Sequence, residues 1–259
     1  MNMNALVWKQ PVSLPPITQN EVHIWRVHLP LVLARYADLW QVLNEEERER
    51  ARRFHFERDR QCSVTARGIL RLLLAWYAAG EDGAELKPVS LNFRYNAYGK
   101  PELPGVRLAF NVSHSGAMIL LAFSSLQPLG VDVEHMRAQS DLESLARHFF
   151  APEECAALLA LPAEQRVQAF YNCWTRKEAY IKARGLGLSL PLDSFTVSLK
   201  PGEPAALLAC TDDKRTPADW SLFALDPGQE YAGALAVCPG PSPCVVRCWD
   251  WHDALLRLM

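Results

Sequence analysis

Three carboxylates and one lysine carry the chemistry that this sequence announces most clearly. Asp132 and Glu134 lie in the short β-branched run 130–134, GVDVE. In a strand, residues two apart face the same way, so both carboxylates project from one face while Val131 and Val133 fill the other. Acids side by side repel, and one takes up a proton unless a cation neutralises them. Hard oxygen ligands in this arrangement suit Mg²⁺, which binds a few carboxylates and completes its shell with water and substrate phosphates. By itself an Asp-x-Glu pair is more often the acidic outer face of an edge strand. The two anchoring valines shift the balance toward function.

The third acid is Glu178, in the run 170–187, FYNCWTRKEAYIKARGLG. Apolar residues recur there at three- and four-residue intervals (Phe170, Trp174 and Ile181, with Tyr171 beside them), which predicts a helix. At about 100° per residue Glu178 falls inside the apolar arc. A carboxylate on a buried helix face is costly unless compensated. Lys182, one turn on, is the plain compensation, an ion pair supporting the helix. The sharper reading has Glu178 share a metal ion with a second acidic site, and GVDVE supplies one.

The elements that must position these groups fall into two similar series. A Pro-rich lead-in precedes a strand at 21–29, a helix at 31–43, and a helix that begins at Asn44 with acids in its first turn and arginines in its last. A further helix, about 59–79, carries a stripe through Ile69, Leu70, Leu73 and Leu74. Short strands follow, through VSLNFRYN, VRLAFNVSHSG and AMILLAFS to GVDVE. From Asp141 the texture turns helical again. After the 170–187 helix, the runs ADWSLFAL, EYAGALAV and PCVVRCWDW predict a second sheet. The expectation is α+β, with one half spanning 1–128 and the other 129–259, and a seam at Gln127–Pro128.

Other candidates are less specific. Eight arginines between Arg48 and Arg71 make this the most basic stretch. Singly they read as solvated partners of Glu45, Glu46, Glu47 and Glu49, but together they favour at least one anion contact. Lys100 sits in a Gly-Lys-Pro turn, as consistent with a solvated lysine as with an anion ligand. Ser113-His114-Ser115-Gly116 forms a polar turn whose backbone amides can cradle a phosphate. Adjacent Ser and His are too close in sequence for a catalytic dyad.

Composition excludes several classes. With 259 residues, a net charge of −2 and 49% apolar residues, the chain reads as an ordinary globular protein, and near-neutrality argues against nonspecific nucleic-acid binding. Seven cysteines without a Cys-x-x-Cys pair suit reduced thiols. The N-terminus lacks a leader pattern and no run reaches membrane-spanning length, so a cytoplasmic location is expected.

The runs FNVSHSG (110–116), GVDVE and WTRKEAYIKARGLGLSLPLDSF (174–195), with ERERARRF (47–54) and YGKP (98–101) upstream, together resemble the 4′-phosphopantetheinyl transferases of the surfactin-synthetase-activating type. The similarity covers about residues 45–200. It implies transfer of the phosphopantetheine arm of coenzyme A to a serine of an acyl, peptidyl or aryl carrier protein, with release of 3′,5′-ADP. It also implies a monomer of two pseudo-twofold-related α/β subdomains, with the active site in the cleft between them. By matching motif positions, Asp132, Glu134 and Glu178 would hold Mg²⁺, and Glu178 would be the base, with His114 as competitor. Lys182 would contact phosphates, Arg50, Lys100 and His114 would contact coenzyme A, and Ser113 would lie near its pyrophosphate. The segment Arg147–Phe150 is a candidate carrier-facing surface, although paired phenylalanines are more often core. Two departures stand out: Glu47 stands where several relatives have a lysine, and Cys62 where some have a basic residue, which leaves the 3′-phosphate contacts unplaced, with Arg60 and Arg67 as candidates. A non-catalytic carrier- or nucleotide-binding module and an Mg²⁺-dependent phosphodiesterase are the alternatives. Fatty-acid, polyketide, nonribosomal-peptide and lysine-pathway carriers all remain open as substrates.

Overall fold

The structure, a computed structural model, describes residues 6–82, 86–125, 128–137, 141–211, 214–239 and 244–257. The strands in chain order are β1 (Trp8–Lys9), β2 (Glu21–His28), β3 (Arg94–Tyr95), β4 (Pro101–Glu102), β5 (Ala109–Ser115), β6 (Met118–Ser124), β7 (Leu129–His135), β8 (Phe195–Val197), β9 (Leu207–Cys210), β10 (Ser221–Leu225), β11 (Tyr231–Val237) and β12 (Val245–Asp250). The helices are α1 (Leu29–Val32), α2 (Tyr36–Gln41), α3 (Glu45–Arg52), α4 (Glu57–Asp82), α5 (Leu142–Phe149), α6 (Pro152–Leu159) and α7 (Ala163–Arg184).

Two α/β units result. The first comprises Met1–Tyr95, Pro101–Ser125 and Val245–Met259, and the second Asn96–Lys100 and Leu126–Cys244. This division differs from a single cut at 128/129 at three segments (96–100, 126–128 and 245–259), and the expected seam at Gln127–Pro128 lies partly outside the described residues. The last strand is the larger correction. PCVVRCWDW does not join β10 and β11 but returns to the first unit, where β12 runs parallel to β2 from Val245↔Glu21 to Asp250↔Arg26. Arg26 Nε donates to Asp250 Oδ1 at 2.7 Å, and Arg247 pairs with Glu21, so charge complementarity seals the register.

In the first unit a five-stranded sheet runs in the order β1-β12-β2-β6-β5. The apolar stripe of α4 through Ile69, Leu70, Leu73 and Leu74 is buried in one core with Trp25, Val27, Leu121 and Phe123 of the sheet. The predicted 31–43 helix breaks instead into α1, a 3₁₀ turn and α2. At α3 the cap is reciprocal: Asn44 Oδ1 accepts from the Glu47 N–H at 3.0 Å, and Glu47 Oε2 accepts from the Asn44 N–H at 3.1 Å. The same Glu47 receives Arg71 Nε at 2.6 Å, and Arg71, fully buried, also donates to the carbonyls of Pro88 (2.6 Å) and Leu91 (3.1 Å). Glu47 thus neutralises a buried guanidinium.

In the second unit an antiparallel sheet runs β10-β11-β7, and α7 lies across it. Ala236, Ala234 and Ala232 of β11 stand opposite Gly130, Asp132 and Glu134 of β7. Small residues under a helix allow a close approach, and Gly130 shows how close. A Cβ added there would lie 2.2 Å from the Ala179 carbonyl oxygen and 2.3 Å from the Ala183 nitrogen, so only glycine fits. The core of this unit clusters on α7, with Tyr180 between Phe195 and Trp220 at ring-centroid distances of 4.7 and 4.8 Å. Lys177, although charged, is fully buried: its Nζ meets Glu154 Oε2 at 2.7 Å and donates to the carbonyls of Leu192 (2.7 Å) and Phe195 (2.6 Å). Glu154 accepts in addition from the N–H groups of Ala151 (2.9 Å) and Val197 (2.7 Å). With its charges paired and its hydrogen bonds made, this network ties α6 and the 192–197 segment to α7.

Candidate active site

Gly130 identifies the face of β7 that looks at α7, because its missing side chain is what the α7 backbone replaces. Asp132 and Glu134, two and four residues further on, share that face. Glu178 and Lys182 each precede one of the α7 residues, Ala179 and Ala183, that approach Gly130 most closely. The geometry follows: Lys182 reaches across to the strand, its Nζ 2.6 Å from Asp132 Oδ1. Asp132 is 2% exposed, whereas Glu134 and Glu178 are half-buried. Behind the acids, Val131 and Val133 are fully buried, which anchors the strand.

Electrostatics join the third acid to the other two. Burial pushes the Glu178 carboxyl up, and the charges of Asp132 and Glu134 push the same way; Lys182 opposes them without cancelling them. Glu178 is therefore held closer to neutrality than an ordinary glutamate, as like charges sharing a desolvated site require. Among the described residues, no three or more His, Cys, Asp or Glu side chains are gathered closely enough to grip a metal ion as they stand. The donor chemistry is nevertheless that of a hard divalent ion, since three carboxylates with one mutual repulsion are what such a cation relieves.

The other expected residues are distributed as follows. Lys100 belongs to the second unit with the acids, and its Nζ donates to the carbonyls of Lys182 (2.6 Å) and Leu129 (2.9 Å), with that of Ala183 at 3.5 Å. Arg50, Ser113 and His114 belong to the first unit. Arg50 is exposed on α3, with its guanidinium 5.8 Å from the centroid of the Tyr95 ring and 3.7 Å from Glu46. Ser113 is buried and His114 exposed on neighbouring positions of β5, just before a turn whose Gly116 has φ 60°. Of the residues suggested in place of Glu47, Arg60 pairs with Glu57, while Arg67 sits 4.8 Å over the Phe93 ring and donates to the Tyr95 hydroxyl at 3.3 Å. Cys62 is buried. Phe150 is core, against Phe170, and Phe149 is half-buried with its ring edge-on to Trp174 at 5.6 Å.

Three residues that position the site carry weak sequence signals. Gly130 is visible in GVDVE as a glycine in a strand, a mark of close backbone approach. Lys177 precedes Glu178 and reads as solvated, because nothing local announces Glu154. Asn96, in YNAYGKP, is a turn residue by type, yet its Nδ2 donates to the Gly185 carbonyl at 2.9 Å.

Comparison with known proteins agrees on one family. A family model described as the 4′-phosphopantetheinyl transferase superfamily matches residues 128–236, and one described as 4′-phosphopantetheinyl transferase, N-terminal, matches residues 32–126. The chain is 39% identical over 226 residues to 4′-phosphopantetheinyl transferase HetI of Nostoc sp., covering 85% of this chain and 89% of the relative. It is 35% identical over 198 residues to 4′-phosphopantetheinyl transferase Sfp of Bacillus subtilis, covering 76% and 81%. To 4′-phosphopantetheinyl transferase ffp, also of Bacillus subtilis, it is 33% identical over 201 residues, covering 77% and 83%. Among the described residues no helix is long and apolar enough to cross a membrane.

Proposed function

The chain belongs to the 4′-phosphopantetheinyl transferase superfamily, and from that premise we propose that it moves the phosphopantetheine arm of coenzyme A onto a serine of an acyl, peptidyl or aryl carrier protein, releasing 3′,5′-ADP. The observation that carries this reading is the pairing of β7 with α7. It sets Lys182 2.6 Å from Asp132 and leaves Glu178 under the combined charge of Asp132 and Glu134. Similarity to HetI, Sfp and ffp alike supports a general carrier-activating enzyme rather than one dedicated to surfactin synthetase.

In this reading Asp132, Glu134 and Glu178 are the residues that would hold Mg²⁺. When bound, the ion supplies neutralisation of the pyrophosphate oxygens. The chain's own groups do the rest. The serine oxygen attacks the phosphorus that bears the pantetheine arm, the bond from that phosphorus to the bridging oxygen breaks, and 3′,5′-ADP departs with the electron pair. Positioning and charge stabilisation dominate such a transfer. Glu178 accepts the serine proton, with His114 as the competing base. Lys182 exchanges Asp132 for the leaving phosphate, as a mobile point charge can. Arg50 and His114 contact coenzyme A and Ser113 lies near its pyrophosphate, whereas Lys100, also expected as a coenzyme A contact, has its ammonium engaged with the carbonyls of Lys182 and Leu129.

Mass spectrometry of several apo carrier proteins incubated with coenzyme A, with Mg²⁺ or with chelator, tests the assignment. A gain of about 340 Da on the carrier serine, lost with chelator and in Asp132→Asn, is the expected result. No gain on any carrier refutes the transferase reading, and coenzyme A cleaved without a carrier favours a phosphodiesterase. The pH–rate profiles of Glu178→Gln and His114→Ala decide the base: an unchanged profile in Glu178→Gln removes that residue from the role.

A further inference from the structure

We propose that Asn96 and Lys100 are positioning residues that clamp the C-terminal end of α7 and thereby hold Lys182 in register with Asp132; the proposal rests on the transferase reading above. The last carbonyls of a helix have no intrahelical partner, and they carry the negative end of the helix dipole. In α7 those carbonyls are met by a turn remote in sequence. The Lys100 ammonium donates to the Lys182 carbonyl at 2.6 Å and stands 3.5 Å from that of Ala183. The Asn96 carboxamide donates to the Gly185 carbonyl at 2.9 Å. Three of the final carbonyls are therefore served by two side chains of one turn.

The turn is built to present them. Asn96 Oδ1 accepts from the N–H groups of Tyr98 (2.9 Å) and Lys100 (3.0 Å), while the Asn96 N–H donates to the Lys100 carbonyl at 3.0 Å. One end of the carboxamide thus shapes the turn and the other end grips the helix. Gly185, the left-handed cap at φ 66°, completes the fit, because a side chain there would begin 3.2 Å from Asn96 Nδ2.

The third partner of the ammonium gives the clamp its consequence. Lys100 Nζ also donates to the Leu129 carbonyl at 2.9 Å, at the first residue of β7. A single cation therefore fastens the last turn of α7 to the start of β7. These are the two segments whose side chains, Lys182 and Asp132, meet at 2.6 Å. With its three N–H groups facing these carbonyls, Lys100 acts on the reaction through Lys182 rather than through a phosphate of coenzyme A.

Steady-state kinetics and hydrogen exchange on full-length wild type, Lys100→Met and Asn96→Asp test the clamp. Asn96→Asp keeps the acceptor that shapes the turn and loses the donor to Gly185, so it remains informative if Lys100→Met fails to fold. Both variants are expected to lower kcat at least about tenfold while changing KM for coenzyme A less than about threefold, as loss of alignment without loss of substrate contact does. Amide exchange at 182–187 should rise in both. The preference for coenzyme A over 3′-dephospho-coenzyme A should stay unchanged. A raised KM with kcat intact in Lys100→Met makes Lys100 a substrate contact and overturns the proposal, as does unaltered exchange at 182–187. A wild type that transfers nothing refutes the transferase reading instead, and the exchange measurement still reports on the clamp.

Discussion

Substituting Gly130 by alanine probes the joint on which the site depends. The added methyl would stand 2.2 Å from the Ala179 carbonyl oxygen and 2.3 Å from the Ala183 nitrogen, where both obstacles are helix backbone and neither can rotate away. Restoring an ordinary contact of about 3.2–3.4 Å requires α7 and β7 to part by about 1 Å, a strain comparable to overpacking a core, about 1–3 kcal/mol or more. That displacement falls on the pair that aligns Lys182 with Asp132, and a misplacement of about 1 Å costs on the order of 10²-fold in rate. Urea unfolding measures the first effect, and the rate of phosphopantetheine transfer, followed by mass spectrometry under saturating substrates, measures the second. Gly130→Ala should therefore be destabilised yet folded, with kcat reduced far beyond its loss of folded population. A variant as stable as wild type and active within about twofold would show that the close helix–strand approach does not govern the site.

Other perturbations test the rest of the structure. Lys177→Met should lower stability by about 3–5 kcal/mol in urea, because it leaves the buried Glu154 without the ammonium that meets it; a loss under about 1 kcal/mol would contradict the buried pair. Glu47→Lys should be similarly destabilising, since it removes the side-chain half of the reciprocal α3 cap and sets a third cation beside Arg67 and the buried Arg71; calorimetry showing an unchanged Tm would sink that account. Burial lowers the His23 imidazole from 6.5 to about 4 despite the opposing charge of Glu21, while its Nδ1 meets the Tyr77 hydroxyl at 2.8 Å. Between those values the unfolded chain holds a proton that the folded chain does not, so stability should fall as pH drops from about 6.5 to about 4, by up to about 3 kcal/mol. His23→Gln should flatten the unfolding free energy across that window, and an identical slope in the variant would assign it elsewhere.

How much of this was readable from the chain depends on how local each cause is. Asn44 followed by acids is a cap in any context, and α3 begins there. The spacing of Phe170, Trp174 and Ile181 announces the helix α7, although its buried residues extend around it and Trp174 is only half-buried, and the alternation in GVDVE fixes the common face of Asp132 and Glu134. Causes that sit far away in sequence were not readable. Glu47 reads as a missing phosphate ligand because Arg71, 24 residues on, is invisible as its partner. Lys100 reads equally as a solvated turn lysine and as an anion ligand, because the carbonyls it serves lie between 29 and 83 residues later. β12 looked like a neighbour of β11, since parallel pairing with β2 leaves no mark in either strand.

That return of β12 also orders events during synthesis. Every residue of the second unit emerges before Val245, whereas the first unit must wait for β12 to stand between β1 and β2. Until then a nascent chain exposes the apolar flank of β2, a bare strand edge open to mispairing. Chaperone dependence should therefore concentrate late in translation, and ribosome-bound chains stopped before Val245 should be protease-resistant in the second unit while the first stays sensitive.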